Sequence, residues 1–168
     1  NPSLLADMAR TVDHVSGGRV ILGLGAGWKQ RDYDEYGYEF GTFPSRLRDL
    51  SRAMPVIEER LGKLNPPPVR RMPILIAGVG EQVTLKLVAR HADGWHAAFP
   101  DRPEELEPKV AALRRHCEAI GRDPADIEWG VGIEPDDIER FLRDDADRYV
   151  AMGFTQFTLG YNGPAWSV

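Results

Sequence analysis

The sequence predicts an α/β fold in which parallel strands alternate with helices. Apolar residues recur at helical spacing in five segments, and five short apolar runs of strand length lie between or after them. These runs are apolar almost throughout, which is typical of parallel strands covered by helices rather than strands with one face in water. The order is helix, strand, helix, strand along the whole chain, so a helix-covered parallel sheet is the expected architecture.

The first half of the chain is expected to supply two helices and one strand. A helix begins after Asn1, at residues 2–15, and the apolar run at residues 19–25 has the length of a strand. Residues 26–43 are rich in glycine and aromatic residues and predict a long loop. The second helix covers residues 47–64, and Pro55 inside it predicts a kink or a break.

The second half continues the same alternation without a domain linker or a charged tail. We therefore expect residues 1–168 to form one domain, with residues 161–168 as a loop after the last strand. The expected strands lie at residues 74–77, 94–98, 127–133 and 154–160, and the expected helices at residues 83–91, 106–120 and 138–150.

Composition excludes several classes of function. The 168 residues carry 21 basic and 26 acidic side chains, a net charge of −5, with no basic block to follow a nucleic-acid backbone. No apolar run approaches the ~18 residues that a membrane span needs. The single cysteine, Cys117, excludes an internal disulfide and a cysteine zinc site, and it fits a reducing cytoplasm. We expect a cytoplasmic protein that binds neither nucleic acid nor membranes.

Two parallel folds compete at this point, an open dinucleotide-binding sheet and a (β/α)₈ barrel. The dinucleotide fingerprint needs G-x-G-x-x-G, and residues 23–28 fail it at Trp28, while residues 78–83 fail it at Val83. The long loop after the first strand favours a barrel, which builds its site from such loops. A barrel needs eight strands, however, and five are predicted, so the residues alone leave both folds open.

Residues 16–28 resemble the luciferase-like monooxygenase superfamily, whose members are barrels that use FMN or the deazaflavin coenzyme F420. Residues 73–80 are similar to that family's fifth strand and phosphate loop, and residues 89–96 to the following helix end and sixth strand. The resemblance implies a partial (β/α)₈ barrel made of the family's strands four to eight. The first three strands would then precede Asn1, and the closing helix would follow Val168.

The resemblance also implies a cofactor site at the carboxyl ends of two strands. Small residues there let a planar ring lie against the backbone, and Trp28 would form a wall. Arg46, with Arg48 as a rival, matches a family arginine on the cofactor phosphate, and a helix beginning near Glu81 would offer N–H groups to an anion. The expected cofactor-binding residues are Gly25, Ala26, Gly27, Trp28, Arg46, Gly78, Val79 and Gly80.

These residues also have plainer interpretations. The glycine segments would equally form tight turns, Trp28 a core residue and Arg46 a solvated cation. The family more often has glycine or serine where this chain has Val79, so a hydroxyl contact would be lost there. Asp32 stands where the family usually has glutamate, which puts any contact of that residue in doubt.

Histidines give weaker signals. His96 lies near a strand's carboxyl end and is expected to line the substrate pocket. The spacing of His91, Asp93 and His96 suits a structural role better than a metal site, so no metal is expected. Cys117 falls on the apolar face of a helix, which makes a nucleophilic pair with His116 improbable.

The function implied by the resemblance is hydride transfer between F420 and a small organic substrate. The short connection at residues 64–73 is similar to F420-dependent members, and FMN is the alternative cofactor. The family's catalytic acid or base would belong to its first three strands, so no catalytic residue is assigned and the chain alone is expected to be inactive. The competing hypotheses are an FMN-dependent monooxygenase and a non-catalytic reduced barrel, which either binds a flavin-like ligand without turnover or forms a homodimer that covers its open sheet edge.

Overall fold

The computed structural model describes residues 1–160. The chain divides into two compact units, Asn1–Leu75 and Ile76–Val168. The loop expected at residues 161–168 lies outside the described residues. The strands are β1 (Leu22–Leu24), β2 (Ile74–Ala77), β3 (Gly94–His96), β4 (Glu128–Ile133) and β5 (Gln156–Leu159). The α-helices are α1 (Pro2–Ser16), α2 (Gln30–Tyr36), α3 (Phe43–Lys63), α4 (Thr84–His91), α5 (Glu107–Glu118), α6 (Ile138–Arg140) and α7 (Ala146–Met152).

The strands follow one another in sequence order, which confirms the expected α/β class. In the first unit β1 lies beside the start of β2, and the Leu22 amide donates to the Pro73 carbonyl at 2.9 Å. In the second unit the end of β2 is followed by β3, β4 and β5. The pairs β3–β4 and β4–β5 are parallel, with Trp95 opposite Trp129 and Val131 opposite Phe157.

The first unit is built on the packing of α1 against α3. Its apolar core consists of small and medium side chains, namely Ala6, Ala9, Leu22, Ile57 and Met72. Asp13 of α1 is fully buried, and its Oδ2 accepts a hydrogen bond from the Val69 amide at 2.9 Å. This bond attaches the segment after α3 to the end of α1.

The structure corrects two expectations in the first unit. The segment predicted as a loop contains α2, which the periodicity missed because none of its residues is buried. Gly37, with φ of 72°, ends this helix in the left-handed conformation. Of the kink or break expected at Pro55, the break is wrong, because α3 runs uninterrupted from Phe43 to Lys63 and buries Met54 and Ile57 on either side of the proline. The kink stays a prediction.

The second unit packs its helices over an aromatic core. Trp95 and Phe154 are fully buried with ring centroids 5.5 Å apart, and Trp129 meets both rings. The helix expected at residues 138–150 forms, with a π-helical stretch at Phe141–Asp145 between α6 and α7. Within residues 1–160, no helix is both long and apolar enough to cross a membrane.

Candidate cofactor site

A cavity of about 750 Å³ lies in the first unit, beside the carboxyl end of β1. This volume falls in the range of sites for small molecules and cofactors, roughly 300–1,000 Å³. Gly25 and Ala26 contribute backbone and one methyl group to its wall. The other walls come from the start of α1, the segment around α2 and the first half of α3, including Leu24, Tyr33, Phe40, Arg46 and Leu50.

Arg46 lies in the first turn of α3, beside the loop that borders this cavity. Its Nε donates to the Gly27 carbonyl at 3.1 Å, and its Nη1 donates to the Phe40 carbonyl at 3.2 Å. The guanidinium also lies 3.8 Å from the centroid of the Phe40 ring. The structure therefore brings Arg46 and Gly27 together, whereas the rival Arg48 is exposed and is absent from the cavity wall.

Gly27 and Trp28 have different surroundings. Gly27 adopts φ of +74°, and a Cβ there would overlap with the Tyr33 hydroxyl, so only glycine fits this close approach. Trp28 is 79% exposed and does not line the cavity. Its ring lies 4.9 Å from the Lys29 ammonium. The core position is therefore wrong for Trp28, and its role in a cofactor wall stays a prediction.

The segment Gly78, Val79 and Gly80 follows β2 in the second unit. The Gly78 amide donates to the His96 carbonyl at 3.0 Å, and the Gly78 carbonyl accepts from the Trp95 indole at 2.9 Å. The helix expected near Glu81 begins at Thr84 instead, because residues 81–83 form a turn in which the Gly80 carbonyl accepts from the Leu85 amide. An anion held at this segment would thus meet the turn before the helix rather than the first helical residues.

His96 is half-buried at the carboxyl end of β3. Its Nδ1 accepts a hydrogen bond from the Ala98 amide at 3.2 Å, which leaves Nε2 as the N–H of the neutral ring. Burial lowers the pKa of His96 below its usual 6.5, so the imidazole is neutral at pH 7. Ala98 itself adopts φ of 60°, a left-handed conformation that is uncommon outside glycine.

The remaining titratable candidates have structural surroundings. His116 contacts the Glu81 carbonyl at 2.7 Å, and Cys117 is buried, which raises the pKa of its thiol. Both features oppose a nucleophilic role. Among residues 1–160, no three His, Cys, Asp or Glu side chains are grouped closely enough to hold a metal ion.

Several residues of these sites were not anticipated from the sequence. Tyr33 and Phe40 stack edge to face at 5.0 Å and border the cavity, but their segment was expected to be an unstructured loop. Gly130 and Gly132 of β4 lie beneath His96 and Phe99. A glycine at every second position of one strand was the available signal, since it frees one face of the sheet.

The comparison with protein families decides the identity. The family model of luciferase-like monooxygenases matches residues 1–135, which is most of the chain. The chain belongs to the luciferase-like monooxygenase family. An uncharacterised protein of Mycobacterium tuberculosis, Rv0953c, is 26% identical over 95% of this chain, which spans 59% of that protein's length.

Solved structures of luciferase-like enzymes share the fold. An F420-dependent secondary alcohol dehydrogenase, in complex with an F420-acetone adduct, superposes with a TM-score of 0.76 and 17% identity. The match covers 95% of this chain and 69% of the dehydrogenase. The oxygenating constituent of 3,6-diketocamphane monooxygenase from Pseudomonas putida, in complex with FMN, gives a TM-score of 0.61 at 12% identity, covering 90% of this chain and 51% of that one. The five strands and their helices thus have the fold of part of a luciferase-like barrel.

Proposed function

We propose that this luciferase-like chain carries part of the cofactor site of an oxidoreductase that moves a hydride between coenzyme F420 and a small organic substrate. The observation that carries the proposal is the cavity of about 750 Å³ at the end of β1, with Gly25 and Ala26 in its wall and Arg46 beside it. Membership of a family of redox enzymes and the similarity to an F420-dependent dehydrogenase support it further.

The residues around this cavity fit a cofactor of this type. Leu24, Leu50 and Ala53 give apolar surface against which a planar ring system would pack. Arg46 donates from Nε and Nη1 to two backbone carbonyls. The remaining N–H groups of its guanidinium would donate to a phosphate. Glu39 and Asp49 also line the cavity, and their carboxylates suit the hydroxyl groups of the sugar-alcohol chain that F420 and FMN share.

The segment after β2, in the second unit, is a separate candidate for binding an anion. The described residues offer no hydrogen-bond partner to the amides of Val79 and Gly80, so these two N–H groups would serve a phosphate. The bound deazaflavin would supply the hydride chemistry, and the protein would position its ring and exclude water. No catalytic acid or base is assigned to this chain, and we expect no turnover by the 168 residues alone.

A parallel titration with F420 and FMN, followed by the fluorescence of each cofactor, tests the proposal. We expect saturable binding that is tighter for F420, weakened about tenfold or more by Arg46→Ala and less by Arg46→Lys. Arg48→Ala is the matched control, because that arginine is exposed and lies outside the cavity wall. Circular dichroism of each variant separates a lost contact from a lost fold.

The outcomes divide the alternatives. Tighter binding of FMN would replace the proposal with an FMN-dependent monooxygenase, a reading that the similarity to the FMN-containing enzyme favours. Binding of neither cofactor, or equal binding by wild type and Arg46→Ala, would contradict the assignment of this cavity.

A further inference from the structure

Two glycines on β4 allow three side chains to lie flat against one face of the second unit's sheet. Gly130 pairs with His96 of β3 on one side and with Gln156 of β5 on the other. The position of a Cβ on Gly130 would lie 3.5 Å from both the His96 Cδ2 and the Gln156 Oε1. The imidazole and the carboxamide therefore converge over the same backbone atom.

The Phe99 ring covers the second glycine. A Cβ on Gly132 would overlap with this ring, so the ring lies on the glycine backbone itself. The left-handed Ala98 turns the chain to bring Phe99 there, and the Ala98 carbonyl accepts from the Gly132 amide at 2.8 Å. The centroids of the His96 and Phe99 rings are 5.9 Å apart, so the phenyl ring borders the polar pair.

We propose that His96, Gln156 and Phe99 form a substrate subsite that selects an uncharged ketone or secondary alcohol with an apolar group beside the oxygen. This inference rests on the proposed function and names its substrate class. His96 Nε2 donates a hydrogen bond to a carbonyl or hydroxyl oxygen, because Nδ1 is occupied by the Ala98 amide. The Gln156 carboxamide offers a donor to a ketone and an acceptor to an alcohol, so both sides of one redox pair are recognised.

The surroundings favour a neutral ligand over a charged one. The row of His96, Gly130 and Gln156 carries no formal charge, since burial keeps the imidazole neutral near pH 7. A carboxylate there would find no formal positive charge among these three residues. Phe99 is 46% exposed, which leaves ring surface for the apolar group of the ligand.

Binding of acetophenone to the full 168-residue chain tests the subsite without any cofactor. We expect saturable NMR shifts of the His96, Ala98, Gly132 and Gln156 signals in the millimolar range. Benzoate, which is charged, and toluene, which lacks the oxygen, should each bind about fivefold more weakly or not at all. Comparable shifts with benzoate, or shifts confined to other residues, would overturn the inference.

Three variants locate the interaction. His96→Phe and Gln156→Ala should each weaken acetophenone binding about fivefold by removing one hydrogen bond. Gly132→Ala should displace the Phe99 ring, and Gly23→Ala is its matched control, because a Cβ on that strand glycine meets nothing within 4 Å. Unchanged binding in all three variants would contradict the subsite.

The two proposals fail in distinguishable ways. Loss of acetophenone binding with intact F420 binding would leave the cofactor site standing and remove the substrate subsite. Acetophenone binding without F420 or FMN binding would retain this subsite and remove the cofactor proposal.

Discussion

The two compact units bury their apolar residues in different ways. The second unit encloses its largest rings, with Trp95 and Phe154 fully buried and Trp129 and Tyr149 nearly so. The first unit has a core of small and medium side chains, while one side of α1 leaves large apolar residues in solvent. These exposed residues of α1 are Leu4, Leu5, Met8, Val12 and Val15.

This difference indicates what holds each unit together. Burial contributes about 25 cal/mol per Å² of apolar surface, so the enclosed rings concentrate that contribution in the second unit. In the first unit, the polar contacts of Asp13 and Arg46 join segments that lie apart in the chain. An exposed apolar face such as that of α1 is typical of interaction surfaces. The homodimer expected through the open sheet edge stays a separate prediction, which light scattering would test.

Phe154→Ala should have the largest effect, because this side chain contacts three other rings in the aromatic core of the second unit. We expect a loss of about 3–5 kcal/mol in the free energy of unfolding, from the lost burial and the cavity left behind. Urea unfolding monitored by tryptophan fluorescence measures it. Leu142→Ala, at an exposed position, is the control and should stay within about 0.5 kcal/mol. Similar losses in both variants would contradict the view that the enclosed rings concentrate the stability of the second unit.

Asp13→Ala tests how much one polar contact contributes to the stability of the first unit. The substitution leaves the Val69 amide without its carboxylate acceptor, at a position where Asp13 is fully buried. A loss of about 1.5–3 kcal/mol is expected, since hydrogen bonds to charged groups contribute in this range. Asp13→Asn retains an oxygen acceptor and should recover part of this loss. A fully stable Asp13→Ala variant would show that packing, not this bond, secures the segment after α3.

Arg46→Ala should loosen the loop that borders the cavity. The substitution removes hydrogen bonds to two backbone carbonyls, at Gly27 and Phe40, together with the contact on the Phe40 ring. We expect faster amide hydrogen exchange across residues 27–42, corresponding to about 1–2 kcal/mol of local stability. Arg48→Ala should leave this exchange unchanged. If wild type and Arg46→Ala exchange these amide hydrogens at the same rate, the order of the loop comes from helix α2 and not from Arg46.

The sequence predicts the fold better than it predicts the local geometry of the sites. The helical spacing of buried residues and the apolar strand runs follow from burial, which is why five strands and most helices were found in the right order. Helix α2 buries none of its residues, so no periodicity marks it. The start of α4 was missed because the turn at residues 81–83 depends on the bond from the Leu85 amide to Gly80.

The positions of side chains in the candidate sites could not be predicted from the sequence. The sequence marked Arg46 by resemblance, but its bonds to Gly27 and Phe40 join residues far apart in the chain. The convergence of His96 and Gln156 over Gly130 depends on the register of three strands, which no local pattern specifies. The exposure of Trp28 excludes a core position, while its place beside a cofactor stays a prediction.

The smallest expected effect is the change in the free energy of unfolding that the half-buried His96 causes at acidic pH. Its folded-state pKa lies below 6.5 because burial disfavours the charged ring, so above that pH both folded and unfolded states hold a neutral imidazole. As the pH falls through 6.5 the unfolded state takes up the proton first, and the free energy of unfolding declines until the folded-state pKa is passed. His96→Gln removes this contribution. From pH 8 to pH 5, the free energy of unfolding should therefore decline less in the variant than in the wild type. Urea unfolding of both proteins at each pH measures the difference. A constant gap would mean that His96 is as solvated in the folded chain as in the unfolded one, and would remove the support that its burial gives to a neutral substrate subsite.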